Sequence, residues 1–240
     1  MAERRFVVEG PQAVREALAA GALLELYATD PSDDLAVAAG AAGVPVTTVS
    51  GPVLGALAET VAPQGLVGVA PLLPTGLDQL PARPRLVAVL DAVNDPGNAG
   101  TVLRTADAAG ADAVVLTAGS TDPHGGKCVR ASAGSLWHLP LVTDVPVLVA
   151  LDALRERGVT VLATTGAGED DLEDLADAGQ LVRPTAWVFG TEAHGLSRAV
   201  LDAADRRVRI SLRGRAESLN LAAAAAICLF TSARSARVAP

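Results

Sequence analysis

Polar residues that could carry chemistry occur in three segments, each directly after an apolar run of strand length. The first segment, residues 94–106, follows the run 86–93 and contains an Asp-Pro-Gly turn. Asn98 is predicted to N-cap the helix that follows this turn. Arg104 lies on that helix among apolar neighbours, where a cation needs a partner or a cleft. Taken alone, a capping asparagine and a salt-bridged arginine would be the ordinary interpretation.

The second segment, residues 189–197, follows the run 186–189 and places Glu192 between Gly190 and Gly195. The two glycines allow the backbone to pass close to a ligand, and a carboxylate at a strand end can bind a cation or an amine. The alternative is a glutamate that only sits near a favourable helix dipole. His194 is a candidate general base, although a histidine in a loop is more often simply solvated.

The third segment, residues 211–221, follows the run 208–210 and precedes a strongly helical sequence. Ser218 and Asn220 are predicted to cap the first turn of that helix, leaving backbone amides that suit an anion or the edge of an adenosine. Arg213 and Arg215 stand just before the cap. The alternative is a plain helix cap with two exposed arginines.

The elements that must position these segments alternate between strands and helices. In the second part of the chain, strands are expected at residues 86–93, 113–117, 141–142, 159–164, 186–189 and 208–210. Such alternation is typical of an α/β fold, with a parallel sheet and helices on both faces. Ligands bind such sheets at the carboxyl ends of the strands, so the three segments are expected to meet at one edge.

The first part of the chain predicts a small α/β sandwich. Strands are expected at residues 6–8, 23–28, 44–49 and 66–70, with helices at 11–20, 33–42 and 53–60. Residues 71–84 contain four prolines and Gly76, which disfavour both helix and central strand. We therefore expect a domain at residues 1–70, a linker at 71–84 and a second domain at 85–240.

Composition restricts the class of protein further. The 240 residues carry a net charge of −8, which argues against a general nucleic-acid coat protein. Lys127 is the one lysine, and five of the arginines fall within residues 206–215, where we expect a surface that faces phosphates. Cys128 and Cys228 are expected to be reduced thiols. No apolar run could span a bilayer and no secretory leader is evident, so we expect a cytoplasmic protein.

Several common site signatures are absent from the sequence. It contains no GxxxxGK[ST], HExxH, GxSxG or zinc-ligand quartet, and no metal is expected. Residues 166–168 read Gly-Ala-Gly after a strand, but they lack the third glycine of a dinucleotide fingerprint. An NAD-dependent oxidoreductase is therefore only a minor alternative, and NAD(H) binding would reveal it.

Taken together and in this order, the three segments resemble the motifs of the SpoU/TrmH family of RNA 2′-O-methyltransferases. The matching patterns are NDPxNxGxxxRTA at residues 94–106, FGxExxGLS at 189–197 and ISLxGxxxSLNL at 210–221. Residues 6–18 resemble an RNA-binding domain, related to small ribosomal proteins, that often precedes this catalytic domain. Three positions depart from the family pattern: Thr191, Ser211 and Leu212 stand where asparagine, proline and methionine are frequent.

The resemblance implies a SPOUT fold with a deep C-terminal trefoil knot, and a homodimer with its active site at the subunit interface. It also implies S-adenosylmethionine as the cofactor. The implied catalytic set is Arg104, Asn98, Glu192, Ser218 and Asn220. The implied cofactor-binding set is Thr117, Ala118, Gly119, Phe189, Gly190, Ile210, Leu212 and Leu219. For RNA phosphates we expect Lys127, Arg130, Arg213 and Arg215.

The function expected from this resemblance is methyl transfer to a ribose 2′-hydroxyl of RNA. The extra N-terminal domain favours ribosomal RNA over transfer RNA. A non-catalytic RNA-binding protein with a decayed cofactor site remains an alternative, and housekeeping and antibiotic-protective roles both stay open. Arg104 is expected to hold an RNA phosphate and to stabilise developing alkoxide charge, because guanidinium stays protonated and makes a poor base.

Overall fold

The computed structural model describes residues 4–191 and 193–238, and their strands form two sheets. The first sheet has four strands: β1 (Arg5–Glu9), β2 (Glu25–Ala28), β3 (Val46–Thr48) and β4 (Leu66–Pro71). Their order is β1-β4-β2-β3, with β4 antiparallel to both neighbours and β2 parallel to β3. Helices α1 (Pro11–Ala19), α2 (Asp34–Ala41) and α3 (Gly51–Leu57) connect the strands.

The second sheet is parallel throughout and has the order β7-β6-β5-β10-β8-β11-β9. Its strands are β5 (Leu86–Leu90), β6 (Ala113–Thr117), β7 (Leu141–Val145), β8 (Thr160–Thr164), β9 (Asp170–Asp171), β10 (Thr185–Phe189) and β11 (Arg206–Arg209). Every residue of β5, β6 and β10 is buried, because helices cover both faces of the sheet. The prediction of an α/β fold with a parallel sheet is confirmed, whereas β9 was not predicted.

Helices pack on both faces of this sheet. They are α4 (Pro96–Ala109), α5 (Gly126–Ser132), α6 (Val147–Arg155), α7 (Leu172–Asp177), α8 (Arg198–Ala203) and α9 (Leu221–Val238). Along β5, Leu86, Ala88 and Leu90 belong to the core that contains α4, α5 and α9. The alternate residues Val87 and Val89 belong to the core under α6 and α8. None of the helices described is both long and apolar enough to cross a membrane.

The start of α4 differs from the prediction. Asn98 was expected to N-cap this helix, but the helix begins at Pro96 and Asp95 is its N-cap. The Asp95 carboxylate accepts a hydrogen bond of 2.8 Å from the backbone N–H of Asn98. Proline has a fixed φ suited to the first helical position, so the helix starts three residues earlier than expected. Asn98 is therefore in the first turn, and its side chain is not the cap.

Gly100 allows α4 and α5 to pack closely. A Cβ atom at this position would lie 2.5 Å from the carbonyl oxygen of Cys128 and 2.6 Å from the Cβ of Ala131. No side chain fits that space, because both neighbouring atoms belong to a packed helix. Since α4 carries Asn98 at its first turn, this packing fixes the position of the first segment.

The two sheets are joined by a set of contacts that we call the inter-sheet contact: Phe6, Glu9 and Glu16 on one side, and Asp107, His124, Arg130, Trp137 and His138 on the other. The Glu9 carboxylate, 2% exposed, accepts hydrogen bonds from Arg130 (2.7 Å) and from the backbone N–H groups of Glu59 and Thr60. The Phe6 ring lies 4.9 Å from that of His124 and 6.2 Å from that of Trp137. The buried residues of the two sheets form a continuous core here.

Candidate active site

The carboxyl ends of β8, β10 and β11 enclose the larger of two neighbouring cavities, with a volume of about 480 Å³. These strands are neighbours in the sheet, so the segments that follow them meet although they are distant in sequence. The lining residues are Thr164, Thr165, Gly166, Phe189, Gly190, Thr191, Gly195, Val208, Ile210, Leu212, Glu217, Ser218, Leu219, Asn220, Leu221 and Ala224.

Five residues expected to bind the cofactor line this cavity, namely Phe189, Gly190, Ile210, Leu212 and Leu219. Around Gly190 the second segment folds back on itself, and a Cβ atom there would lie 2.3 Å from the carbonyl carbon of Gly195. The backbone N–H of Gly195 donates to Thr191, closing a tight turn at the cavity wall. Glycine is therefore required at position 190 for steric reasons.

Thr117, Ala118 and Gly119 do not line the cavity, contrary to the prediction. They lie at the end of β6, which is separated from β10 by β5. The Thr117 hydroxyl donates to Asp91 (3.0 Å) and accepts from the backbone N–H of Ala92 (3.1 Å). Thr117 lines a separate cavity of about 280 Å³ instead. The resemblance implied these residues, and the strand order of the sheet places them outside the larger cavity.

Thr164, Thr165 and Gly166 line the larger cavity and were missed by the sequence analysis. They follow β8, which lies between β10 and β11. The sequence marks this segment by a Gly-x-Gly at residues 166–168, directly after a predicted strand. That pattern alone indicates only an incomplete dinucleotide fingerprint, because nothing in the sequence shows that β8 neighbours the other two strands.

The first and third segments meet directly through two asparagines. The Asn220 side-chain amide nitrogen donates to the side-chain oxygen of Asn98 over 3.1 Å. The Asn220 oxygen accepts from the backbone N–H groups of Ala222 (2.9 Å) and Ala223 (3.3 Å), so Asn220 caps α9 as predicted. This cap orients the amide nitrogen towards Asn98. Ser218 lines the cavity, but the predicted capping bond from its side chain is not formed.

The smaller cavity, of about 290 Å³, lies beside the larger one, and Thr191 and Leu221 line both. Its remaining lining residues are Val93, Asn94, Asp95, Asn98, Ala193 and His194. The Asn98–Asn220 pair therefore lies where the two cavities adjoin. Glu192, expected to be catalytic, lies outside the described residues.

Arg104 is placed away from both cavities. It lies about 9 Å along α4 from Asn98 and on a different face of the helix. Its side chain is exposed and forms no hydrogen bond or ion pair with the part of the chain that the structure describes. The partner or cleft expected for Arg104 is therefore not supplied by these residues.

Three of the four residues expected to bind RNA phosphates are paired with carboxylates. Lys127 lies 3.0 Å from Asp95, Arg130 2.7 Å from Glu9 and Arg213 2.6 Å from Glu173. The hydrogen bond from the Asn98 backbone N–H, followed by that from Lys127, lowers the pKa of Asp95. Arg215 is exposed and has no such partner within residues 4–191 and 193–238.

The arginine-rich stretch 206–215, expected to face phosphates, is likewise mostly paired with carboxylates. Arg206 pairs with Asp170 over 3.2 Å, and Arg207 pairs with Asp202 over 2.7 Å. Arg209 lies 3.5 Å from Asp171. These acidic residues lie on neighbouring elements of the fold, so the pairing could not be read from the sequence around the arginines.

The larger cavity fits a nucleoside-containing cofactor. Its apolar side chains, from Phe189, Ile210 and Leu219, provide a surface for a base, and the tight Gly190–Gly195 turn brings backbone polar groups to the wall. Its volume is within the range typical of cofactor sites. No cluster of three potential metal ligands occurs among residues 4–191 and 193–238. Fold and site together define an α/β protein that binds a small ligand beside a polar cleft.

Comparison with known families identifies the class. Residues 85–230 match the SpoU rRNA Methylase family, and residues 1–68 match the MRM3-like substrate binding domain. The chain belongs to the SpoU rRNA methylase family. The predicted class of enzyme, an S-adenosylmethionine-dependent RNA 2′-O-methyltransferase, is confirmed.

Similar proteins support this assignment along nearly the whole chain. The 23S rRNA (guanosine(2553)-2′-O)-methyltransferase RlmP of Bacillus subtilis is 36% identical, over 94% of this chain and 87% of that protein. The 23S rRNA (guanosine-2′-O-)-methyltransferase RlmB of Ralstonia nicotianae is 35% identical, over 86% of this chain and 84% of that protein.

Solved structures agree with the fold. The AdoMet-bound rRNA methyltransferase of Sinorhizobium meliloti superposes with a TM-score of 0.83 at 32% identity, covering 99% of this chain and 89% of that one. The SpoU methyltransferase AviRb of Streptomyces viridochromogenes, in complex with AdoMet, superposes with a TM-score of 0.86 at 28% identity. That match covers 99% of this chain and 92% of AviRb.

Proposed function

We propose that the larger cavity holds S-adenosylmethionine and that the smaller cavity receives the target nucleotide of a ribosomal RNA, whose ribose 2′-hydroxyl is methylated. One observation carries this proposal. The Asn98–Asn220 hydrogen bond lies where the two cavities adjoin, so a donor in one and an acceptor in the other would face each other across it. The rRNA-directed relatives support ribosomal RNA as the substrate. We propose the cytoplasm as the compartment.

S-adenosylmethionine, when bound, supplies a methyl group on a positively charged sulfur. In this proposal Phe189, Ile210 and Leu219 pack against its adenosine, and the Thr164–Gly166 segment takes the place that the sequence analysis had given to Thr117–Gly119. Asn98 and Asn220 orient the ribose hydroxyl. Holding two reactants in line can lower a barrier by several kcal/mol, up to about 7–11 in ideal cases.

Arg104 is proposed to reach the site of a second copy of this chain. α9 exposes a stripe of residues spaced three or four apart: Ala223, Ile227, Phe230 and Arg234. Ile227 is 40% exposed and Phe230 50%, which is unusual for large apolar residues on one helix face. Because α9 packs beside α4, a partner covering this stripe would also lie close to Arg104. The homodimer implied by the resemblance therefore accounts for an arginine that lines neither cavity of its own chain.

We also propose domain boundaries at residues 70 and 85 and a trefoil knot in the second domain. Residues 71–84 contain a single 3₁₀ turn, Leu77–Gln79, between the two sheets. After β11, near the edge of the sheet, the chain returns as α9 to pack against α4 and the central strands β5 and β10. This return of the chain supports a knotted path, and the first sheet is proposed to bind the RNA substrate.

The proposal is tested with purified protein and cofactor carrying a tritiated methyl group. Ribosomal RNA and transfer RNA lacking ribose methylation are supplied in parallel, and methylated positions are mapped by resistance to alkaline cleavage. We expect label on a ribose of ribosomal RNA. Label only in transfer RNA would overturn the substrate. Calorimetry that detects no binding of S-adenosylmethionine would overturn the cofactor site and favour a non-catalytic RNA-binding protein.

The dimer is tested separately by sedimentation of the native protein and of Phe230→Glu. We expect the native protein to sediment as a dimer and the variant as a monomer with little methyl transfer. A native protein that sediments as a monomer at micromolar concentration would contradict the proposal.

A further inference from the structure

The third segment forms one wall of the larger cavity without the support of a regular element. β11 ends at Arg209 and α9 begins at Leu221, and residues 211–218 between them are exposed. Ile210 and Leu212 nevertheless line the cavity. An exposed, irregular segment keeps one conformation only if side-chain contacts hold it, because its backbone entropy otherwise opposes order.

Alternate residues of this segment make those contacts. Arg209, Ser211 and Arg213 all reach the short stretch that contains β9 and the first turn of α7. The intervening residues, Ile210 and Leu212, point to the cavity. This alternation is that of an extended chain, whose successive side chains face opposite sides. Contacts on one side therefore determine how the other side faces the cofactor.

Asp171 is central to these contacts. It is 8% exposed, and one carboxylate oxygen accepts a hydrogen bond from the Ser211 hydroxyl. The other oxygen accepts from the backbone N–H of Glu173 over 2.9 Å and so caps α7. The Arg209 guanidinium lies 3.5 Å away. The Arg213–Glu173 pair is mostly exposed on both sides and contributes less, since solvent screens it.

We infer that Asp171 is a positioning residue for cofactor binding. Acting through Ser211, it holds the cavity wall formed by Ile210 and Leu212 in the conformation that binds the cofactor. This inference rests on the proposed function of the larger cavity. The hydrogen bond from Ser211, followed by that from the Glu173 backbone, lowers the pKa of Asp171. Asp171 is therefore charged at neutral pH, and hydrogen bonds to charged groups are about twice as strong as neutral ones.

The test is Ser211→Ala in the full chain, which removes one hydroxyl and leaves the cap of α7 in place. If the wall occupies its binding conformation in a smaller fraction of the molecules, the apparent affinity for the cofactor falls in proportion to that fraction. We expect the Kd for S-adenosylmethionine, measured by calorimetry, to rise about five- to tenfold. The kcat at saturating cofactor and RNA should stay within about threefold of the native value, since Ser211 touches no reacting group.

Ser32→Ala is the matched control, because Ser32 also donates its hydroxyl to an aspartate, Asp30, over 2.7 Å, but in the first sheet domain. It should leave the Kd unchanged. Ser211→Thr, which keeps the hydroxyl, should restore most of the affinity. Native-like binding by Ser211→Ala, or equal weakening in Ser211→Thr, would overturn the inference while leaving the proposed function intact. A native protein that does not bind S-adenosylmethionine would overturn both.

Discussion

The inter-sheet contact and the candidate active site use charged residues in opposite ways. At the inter-sheet contact, Glu9 is buried and accepts three hydrogen bonds, one of them from Arg130. On α4 and in the third segment, Arg104 and Arg215 are exposed and pair with no carboxylate in the part of the chain that the structure describes. A buried, paired charge is costly to disturb, whereas an exposed, unpaired one is available to an external phosphate.

This difference shows that the number of arginines in a segment does not indicate how many of them lack a carboxylate partner. Five arginines lie within residues 206–215, yet most of them pair with acidic residues of neighbouring elements. Substitutions at the inter-sheet contact should therefore mainly lower stability, and substitutions at the site should mainly lower activity. Each of the following predictions tests one side of that contrast.

The largest effect is expected for Arg104→Ala. Methyl transfer should fall by at least about 100-fold, as for the loss of a donor to developing negative charge. The free energy of unfolding should change by less than about 0.5 kcal/mol, because the side chain is exposed and unpaired. Labelled-cofactor assays and urea titration measure the two quantities. Arg183→Ala, another exposed arginine, is the control and should preserve both; near-native transfer by Arg104→Ala would remove Arg104 from the chemistry.

Glu9→Ala should show the reverse pattern. The substitution removes a buried carboxylate that accepts from Arg130 and from two backbone N–H groups, so the free energy of unfolding should fall by about 3 kcal/mol. Cofactor affinity, measured well below the melting temperature, should stay native. Glu25→Ala removes a half-exposed carboxylate from Arg5 and should cost no more than about 1 kcal/mol. Equal destabilisation by the two variants would contradict the special importance of the buried contact.

Asn220→Ala should combine the two effects, because Asn220 both caps α9 and contacts Asn98. Loss of the cap should cost about 1 kcal/mol of unfolding free energy. Methyl transfer should fall further than this instability explains. Asn220→Asp, which keeps the capping oxygen and removes the donor to Asn98, separates the roles. It should restore stability but not activity, and recovery of both would assign Asn220 to structure alone.

The smallest effect concerns pH. His138 lies 2.8 Å from Asp107 and 3.3 Å from Glu16, and the hydrogen bond to Asp107 is the main cause of its raised pKa. Its contribution to stability is complete below the ordinary histidine pKa, about 6.5, and is lost as the pH rises through the raised value. His124 acts in the opposite direction, because burial lowers its pKa and its charging in the unfolded state lowers stability as the pH falls below about 6.5.

Melting temperatures between pH 5.5 and 8.5 therefore test the pH-dependent contribution of His138. The melting temperature of the native protein should exceed that of His138→Gln at low pH, and this difference should disappear at high pH. A constant difference between native and His138→Gln across the range would show that His138 contributes no pH-dependent interaction between the sheets.

The sequence predicted the parallel sheet well, because its central strands are buried on both faces and appear as continuous apolar runs. It missed β9, which consists of two aspartates and has no apolar character. It also gave no strand order, so it could not show that Thr164–Gly166 would lie beside Phe189 and Ile210 while Thr117–Gly119, implied by the resemblance, would not. Strand order depends on how helices pack across the sheet, which no local pattern encodes.

The site was partly predictable because the apolar strand runs that precede its segments can be recognised in the sequence. Each segment could be located because turn residues and polar side chains follow an apolar run. The meeting of Asn98 and Asn220 followed from the general rule for strand ends. The carboxylate partners of the arginines were not predictable, because they lie on β9, α7 and α8, and the sequence near the arginines gives no sign of them.

The hydrogen bond between Asn98 and Asn220 has a consequence for biosynthesis. A nascent chain that has been translated only as far as β10 already contains the first sheet and six of the seven strands of the second, yet it lacks Asn220 and α9, which packs on α4. Contacts between residues this far apart form late and slowly. A chain translated only as far as β10 is therefore expected to be inactive, and the capacity to modify RNA arises only after α9 has been translated and has packed on α4.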